Sequence, residues 1–160
     1  MPYFYSYQFN NEDIYIYSCI YVCNDIVALY VVSDLPNTTK IHHSITSGLL
    51  FYSLSIDYNN SDVGKLLLIY TIFSCYSFLV NLYLGLRFII KSEALRKIAY
   101  YNYLISCKIN WFLQIVVIIY HIYNNLFSCM HVIYLVILRF IILDDLILLK
   151  WLEKKNNILQ

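Results

Sequence analysis

The chain has 160 residues, 61% of them hydrophobic and only 13% charged, with a mean hydropathy of +0.60 and a formal net charge of +1. A soluble domain carries about a quarter of its residues as charges, so this chain cannot clothe a water-facing surface, and lipid must be the solvent for most of it. The near-zero net charge also excludes a nucleic-acid footprint, which needs a basic face.

In chain order, residues 1–13 (MPYFYSYQFNNED) form a polar-aromatic segment. It lacks the basic n-region and small-residue cleavage site of a secretory signal. Many of the 18 tyrosines flank apolar runs, among them Tyr3, Tyr5, Tyr7, Tyr58, Tyr100, Tyr101 and Tyr123. An amphipathic ring suits the headgroup region. Five apolar segments follow, at residues 14–33, 41–56, 66–90, 98–119 and 126–149. About 20 residues cross the hydrocarbon, so the second segment is short. Pro36-Asn37, Asn59-Asn60-Ser61-Asp62, Lys91-Ser92-Glu93 and Asn124-Asn125 break the four connections. These links are short, which makes consecutive helices antiparallel neighbours. The pattern predicts an all-α polytopic transmembrane helix bundle of about five spans over residues 14–149, followed by a basic tail at 150–160.

Basic residues orient this bundle. Lys40, Lys91, Arg96, Lys97, Lys150, Lys154 and Lys155 fall on one side and only Lys65 on the other. Lys and Arg mark the cytoplasmic face, which puts the N-terminus lumenal or external and the C-terminus cytoplasmic. Of the two glycosylation sequons, Asn37-Thr38-Thr39 should then face the cytosol and Asn59-Asn60-Ser61 the lumen. The five cysteines (19, 23, 75, 107 and 129) lie in apolar segments and form no CxxC pair; they read as small packing residues.

Ionisable groups are costly in lipid and mark functional-site candidates. His42-His43 opens the second segment, and Asp25 lies mid-way along the first. Asn81 and Arg87 are on the third, Lys108 and Asn110 on the fourth, and Arg139 on the fifth. Depth at about 1.5 Å per residue puts His42 and Arg87 near the cytoplasmic end, with Asp25, Asn81, Lys108 and Arg139 deeper. One shared polar pocket open to the cytoplasmic leaflet is therefore expected. Each group also has a plainer reading. Arg87 snorkels to the headgroups, Asp144-Asp145 anchor the last helix at the membrane edge, and Asp25 pairs with Lys108 or Arg139. His131 is a packing residue, and His121 faces lumenal water. Adjacent helical residues point about 100° apart, so two rings on one turn do not converge on one ion, and no metal is assigned. Acid–base chemistry needs only one of the rings.

The motif order resembles the TLC domain family of polytopic membrane proteins. Cys23-Asn24-Asp25-Ile26-Val27 resembles the family's aspartate-bearing helix, and Lys40-Ile41-His42-His43-Ser44-Ile45-Thr46 its HH-x-x-T segment. Ser77-Phe78-Leu79-Val80-Asn81-Leu82, with Arg87 beyond, is similar to a stretch of the non-synthase branch. Ser106-Cys107-Lys108-Ile109-Asn110-Trp111 resembles a later helix, with Lys where the family has Arg. Met130-His131-Val132-Ile133-Tyr134 through Leu138-Arg139 resembles the final one. The ceramide synthases of this family carry an acidic group on the helix after the His pair, where Phe73-Ser74-Cys75-Tyr76-Ser77-Phe78 has no acid. The resemblance thus implies the non-synthase branch, shortened at its N-terminus, and residence in the endoplasmic reticulum or a related endomembrane.

Three functions stay open on the sequence. The first is a protein that binds or regulates a membrane lipid, an acyl-chain or sphingolipid-like ligand, with Asp25, His42, His43, Asn81 and Arg87 at its polar head. The second is an acyl-CoA-dependent N-acyltransferase acting on a sphingoid base. There His42 or His43 would remove the amine proton, Arg87 or Lys108 would steady the thioester oxygen, and acyl-CoA would be the co-substrate. The third is a structural or partner-binding membrane protein in which the buried charges only pair with each other; homo- or hetero-oligomers through helix packing are open to all three. No cofactor is assigned in any of them.

Overall fold

A computed structural model describes residues 8–76 and 78–157, and these are helical with no strand among them. The helices are α1 (Asn11–Val31), α2 (Asn37–Ser53), α3 (Asp62–Tyr76), α4 (Phe78–Leu86), α5 (Glu93–Tyr123) and α6 (Cys129–Asn157). Ser77 of the third motif, Tyr3, Tyr5 and Tyr7 lie outside the described residues. Three stretches are long and apolar enough to cross a membrane: Asn11–Val31, Asp62–Leu86 and Glu93–Tyr123. The 17 residues of α2 rise only about 25 Å, short of the hydrocarbon core. Every stretch of α6 long enough to cross contains Asp144, Asp145 and at least one further charge.

Most helices begin several residues before the apolar run that signals them, because capping rather than hydropathy sets a helix start. The Asn10 side chain accepts from Glu12 N–H ahead of α1, and Ser92 from Leu95 N–H ahead of α5. Ser61 accepts from Gly64 N–H at the start of α3. Ser128 precedes α6, and its N–H donates to His131 Nδ1, so a histidine side chain supplies the acceptor at this helix start. At the far end of α5, Leu126 N–H reaches His121 O at 2.8 Å and Asn125 N–H reaches Ile122 O at 3.2 Å. This is a Schellman stop with Asn125 in the left-handed region at φ 57°.

The chain divides into two compact units. One runs to Leu68 and includes Ser128–Ile141; the other is Ile69–Phe127 with the chain from Ile142 onward. In the first unit α1 packs against α2. The start of α1 is stitched to the α2–α3 loop by Tyr15 Oη to Ile56 O (2.6 Å), Asn11 Nδ2 to Asp57 Oδ1 (2.8 Å) and Tyr58 N–H to Asn11 Oδ1 (3.1 Å). Val22, Leu50, Ile56, Tyr58, Val63, Leu66 and Leu138 are buried there.

In the second unit α4 packs on α5, and Val80, Tyr83, Ala99, Tyr103, Cys107, Leu149 and Leu152 make the core. The helix α5 is inverted relative to a soluble helix. Its buried seam is Arg96, Ala99, Tyr103, Ser106, Cys107, Asn110, Gln114, Val117 and His121, while Ile98, Ile105, Ile109, Phe112, Ile115, Ile119 and Ile122 are exposed. Small and polar residues inside with branched aliphatics outside suit a helix whose solvent is hydrocarbon. On α1 only Ser18 and Val22 are buried. Three stretches of this length and hydropathy are compatible with an integral membrane protein.

Two expectations are corrected. His121 does not face water; it is fully buried on the α5 seam, which repeats every three to four residues and takes in the helix end. Asp145 is no edge anchor: it is 5% exposed and accepts a hydrogen bond from Tyr103 Oη at 2.7 Å. Helical rotation by about 100° per residue parts it from its neighbour Asp144, which is only half-buried.

Candidate functional site: a carboxylate and two imidazoles beside an apolar groove

Asp25 and His43 stand equally far along the chain from Asp34, in the turn between α1 and α2. In a tight antiparallel hairpin, residues equidistant from the turn meet. Here His43 Nδ1 lies 3.0 Å from Asp25 Oδ1, with both side chains 16% exposed. Thr46, one turn along α2 and buried, donates its hydroxyl to Asp25 Oδ2 at 2.5 Å. That bond holds the carboxylate in one orientation and leaves Oδ1 toward the imidazoles. The His42 ring stands edge-on to His43, centroids 5.6 Å apart. One ligating atom from each of Asp25, His42 and His43 lies within 4.8 Å of the others. The neighbouring helix α1 supplies the third group, Asp25, beside two rings that share one turn of α2.

Polar residues on α2 are made compatible with an apolar setting by local bonds. Ser44 Oγ donates to Lys40 O at 2.8 Å and Ser47 Oγ to His43 O at 2.7 Å, the back-bonding habit of hydroxyls in helices. Past the cluster, the same helix turns an apolar edge to a groove of about 440 Å³. Ile45, Gly48, Leu49 and Tyr52 of α2 line it, with Val63 and Leu67 of α3 and Met130, Ile133, Tyr134 and Ile137 of α6. His42 precedes Ile45 by three residues and Leu49 by seven, so helical periodicity puts it on the margin of the groove-lining edge. Tyr134 Oη donates to Leu66 O at 3.4 Å.

Among the other sequence candidates, Arg139 is exposed on α6. Asn81, Arg87 and Lys108 belong to the second unit. Asn81 and Lys108 are exposed there. The guanidinium of Arg87 sits 4.6 Å from the Phe88 ring centre and 5.2 Å from that of Trp151, two cation–π contacts. Asp25 meets His43 and Thr46 rather than a lysine or arginine. The groove itself was not read from the sequence. Its signal is the α2 spacing Ile45, Leu49, Tyr52 next to a glycine at 48, on a helix too short to cross alone.

No protein-family model, curated protein or solved structure matches the chain.

Proposed function

We propose that this chain is an integral membrane protein that binds a membrane lipid, with the acyl chain in the groove and the polar head at Asp25, His42 and His43. The observation that carries the reading is the continuity of the two on α2: a carboxylate–imidazole cluster passes within one turn into an apolar groove. Ligand sites are mostly apolar clefts with a few convergent polar groups, typically of about 300–1,000 Å³, and this groove lies in that range. The sequence resemblance to the TLC domain family, and with it endomembrane residence, points the same way. So does the Lys and Arg asymmetry, which, with a lumenal N-terminus, would put the His pair toward the cytoplasmic leaflet.

The catalytic alternative, transfer of an acyl group to a sphingoid base, draws on the same imidazoles. Asp25 beside His43 resembles the orienting pair of a general base. The binding reading is preferred because the stretch Phe73–Phe78 after the His pair carries no acid, where the synthases that the chain resembles have an acidic group.

A photo-activatable fatty acyl lipid, added to the protein in nanodiscs, tests the proposal. Crosslinks should fall on peptides carrying Ile45–Tyr52 and Met130–Ile137, and should be lost with excess unlabelled lipid. Labelling spread evenly over all exposed apolar faces would reject it.

A further inference from the structure

We propose that Asp25, His42 and His43 form a binding site for one divalent transition-metal ion of the zinc class. The inference goes beyond lipid binding and does not depend on it. Two imidazoles and one carboxylate are a donor set used by zinc and by non-haem iron, with positions left open for water or a ligand. The three donors come from two helices fixed to each other by the α1–α2 hairpin, and one atom of each is already within 4.8 Å of the rest. Bonds of about 2.0–2.1 Å in a tetrahedral site place ligand atoms about 3.4 Å apart. The Asp25–His43 edge, at 3.0 Å, is already that short. The longer edges close by little over 1 Å, which rotation of an imidazole about its side-chain torsions supplies.

Two further features fit an ion better than a plain ion pair. His43 Nδ1 and Asp25 Oδ1 already face each other at 3.0 Å, so two of the three donors are aimed at one point. Thr46 holds the far carboxylate oxygen as an outer-shell donor does in metal sites, fixing which oxygen faces the ion. The ion would also remove a difficulty of the site. A carboxylate amid apolar helices needs a positive partner, and a divalent ion supplies it while the imidazoles stay neutral.

The test uses the full chain in detergent, stripped with a chelator and titrated with Zn²⁺, and with Co²⁺ for spectroscopy. One equivalent of Zn²⁺ per chain should bind. His42→Gln, His43→Gln and Asp25→Asn should each weaken it at least tenfold, and Thr46→Val less. X-ray absorption of the zinc-loaded wild type does not depend on any variant folding, and it should show about two imidazoles and no sulfur. Absence of saturable binding, or a shell containing sulfur from cysteines such as Cys19 and Cys23, would overturn the proposal. So would binding that His42→Gln leaves unchanged. Because the readout is the ion alone, its failure leaves the lipid reading standing, and lipid-free protein that binds zinc leaves this site standing.

Discussion

Gly48→Leu is the sharpest perturbation of the groove. A Cβ built at Gly48 meets no atom within 4 Å, and the residue lines the groove, so a larger side chain enters open space rather than a neighbour. Leucine adds four carbons, displacing about four methylenes of bound acyl chain. At about 0.8 kcal/mol per buried methylene the loss is about 3 kcal/mol, or about a hundredfold in Kd at 1.4 kcal/mol per tenfold. The fold should not suffer, since replacing a mid-helix glycine removes a cost of about 0.5–1 kcal/mol. Titration with a fluorescent fatty acyl probe gives the affinity, and thermal unfolding by circular dichroism gives the stability. Gly85→Leu is the matched control, because a Cβ there also meets nothing within 4 Å and the residue does not line the groove. Unchanged affinity in Gly48→Leu, or equal losses in both variants, would refute the groove as the acyl site.

Thr46→Val should lower stability by about 1 kcal/mol, the usual net worth of one hydrogen bond, read as a fall in the unfolding midpoint. Tyr103→Phe deprives a buried carboxyl group of its hydroxyl donor. It should cost about 1–3 kcal/mol, while the pair Tyr103→Phe with Asp145→Leu should be milder than Tyr103→Phe alone; a double-mutant cycle in detergent reads the coupling. Outside the spans, the Asn11 amide foremost, then the Asn59 N–H, hold the Asp57 carboxyl below the ordinary carboxylate range. Its folded value lies below the unfolded one, so its contribution is complete above the unfolded value of about 3.9 and fades as pH falls through the folded value. Amide exchange at the start of α1 should accelerate on acidification through that window, and Asp57→Asn should flatten the response. In microsomes Asn37 should stay unglycosylated; modification there would invert the proposed orientation.

The all-helical class and the stretches long and apolar enough to cross a membrane were legible because both follow from composition and hydropathy, which need no partner. The helix ends were less so. Hydropathy marks where lipid begins, whereas Asn10, Ser61, Ser92 and Ser128 fix the starts by capping. The α5 seam was hidden because its members are chemically mixed, and only their three-to-four spacing unites Arg96 with His121. Asp25 and the His pair stood out singly as rare charges in apolar runs. Their meeting follows from equal distance to the turn at Asp34, a hairpin rule that single-helix reasoning does not apply. Thr46 stood out only as the threonine of the HH-x-x-T segment; its bond to Asp25 was not legible, since a threonine on a helix bonds its own backbone as readily as a distant carboxylate, and here it also reaches His43 O at 3.1 Å.

Lipid mass spectrometry of the protein purified from its membrane bears most directly on the central claim. Wild-type protein should carry about one acyl-chain lipid per chain through washing, with Gly48→Leu losing it and Gly85→Leu retaining it. Wild-type protein that emerges free of lipid, or lipid carried equally by all three, would contradict the account.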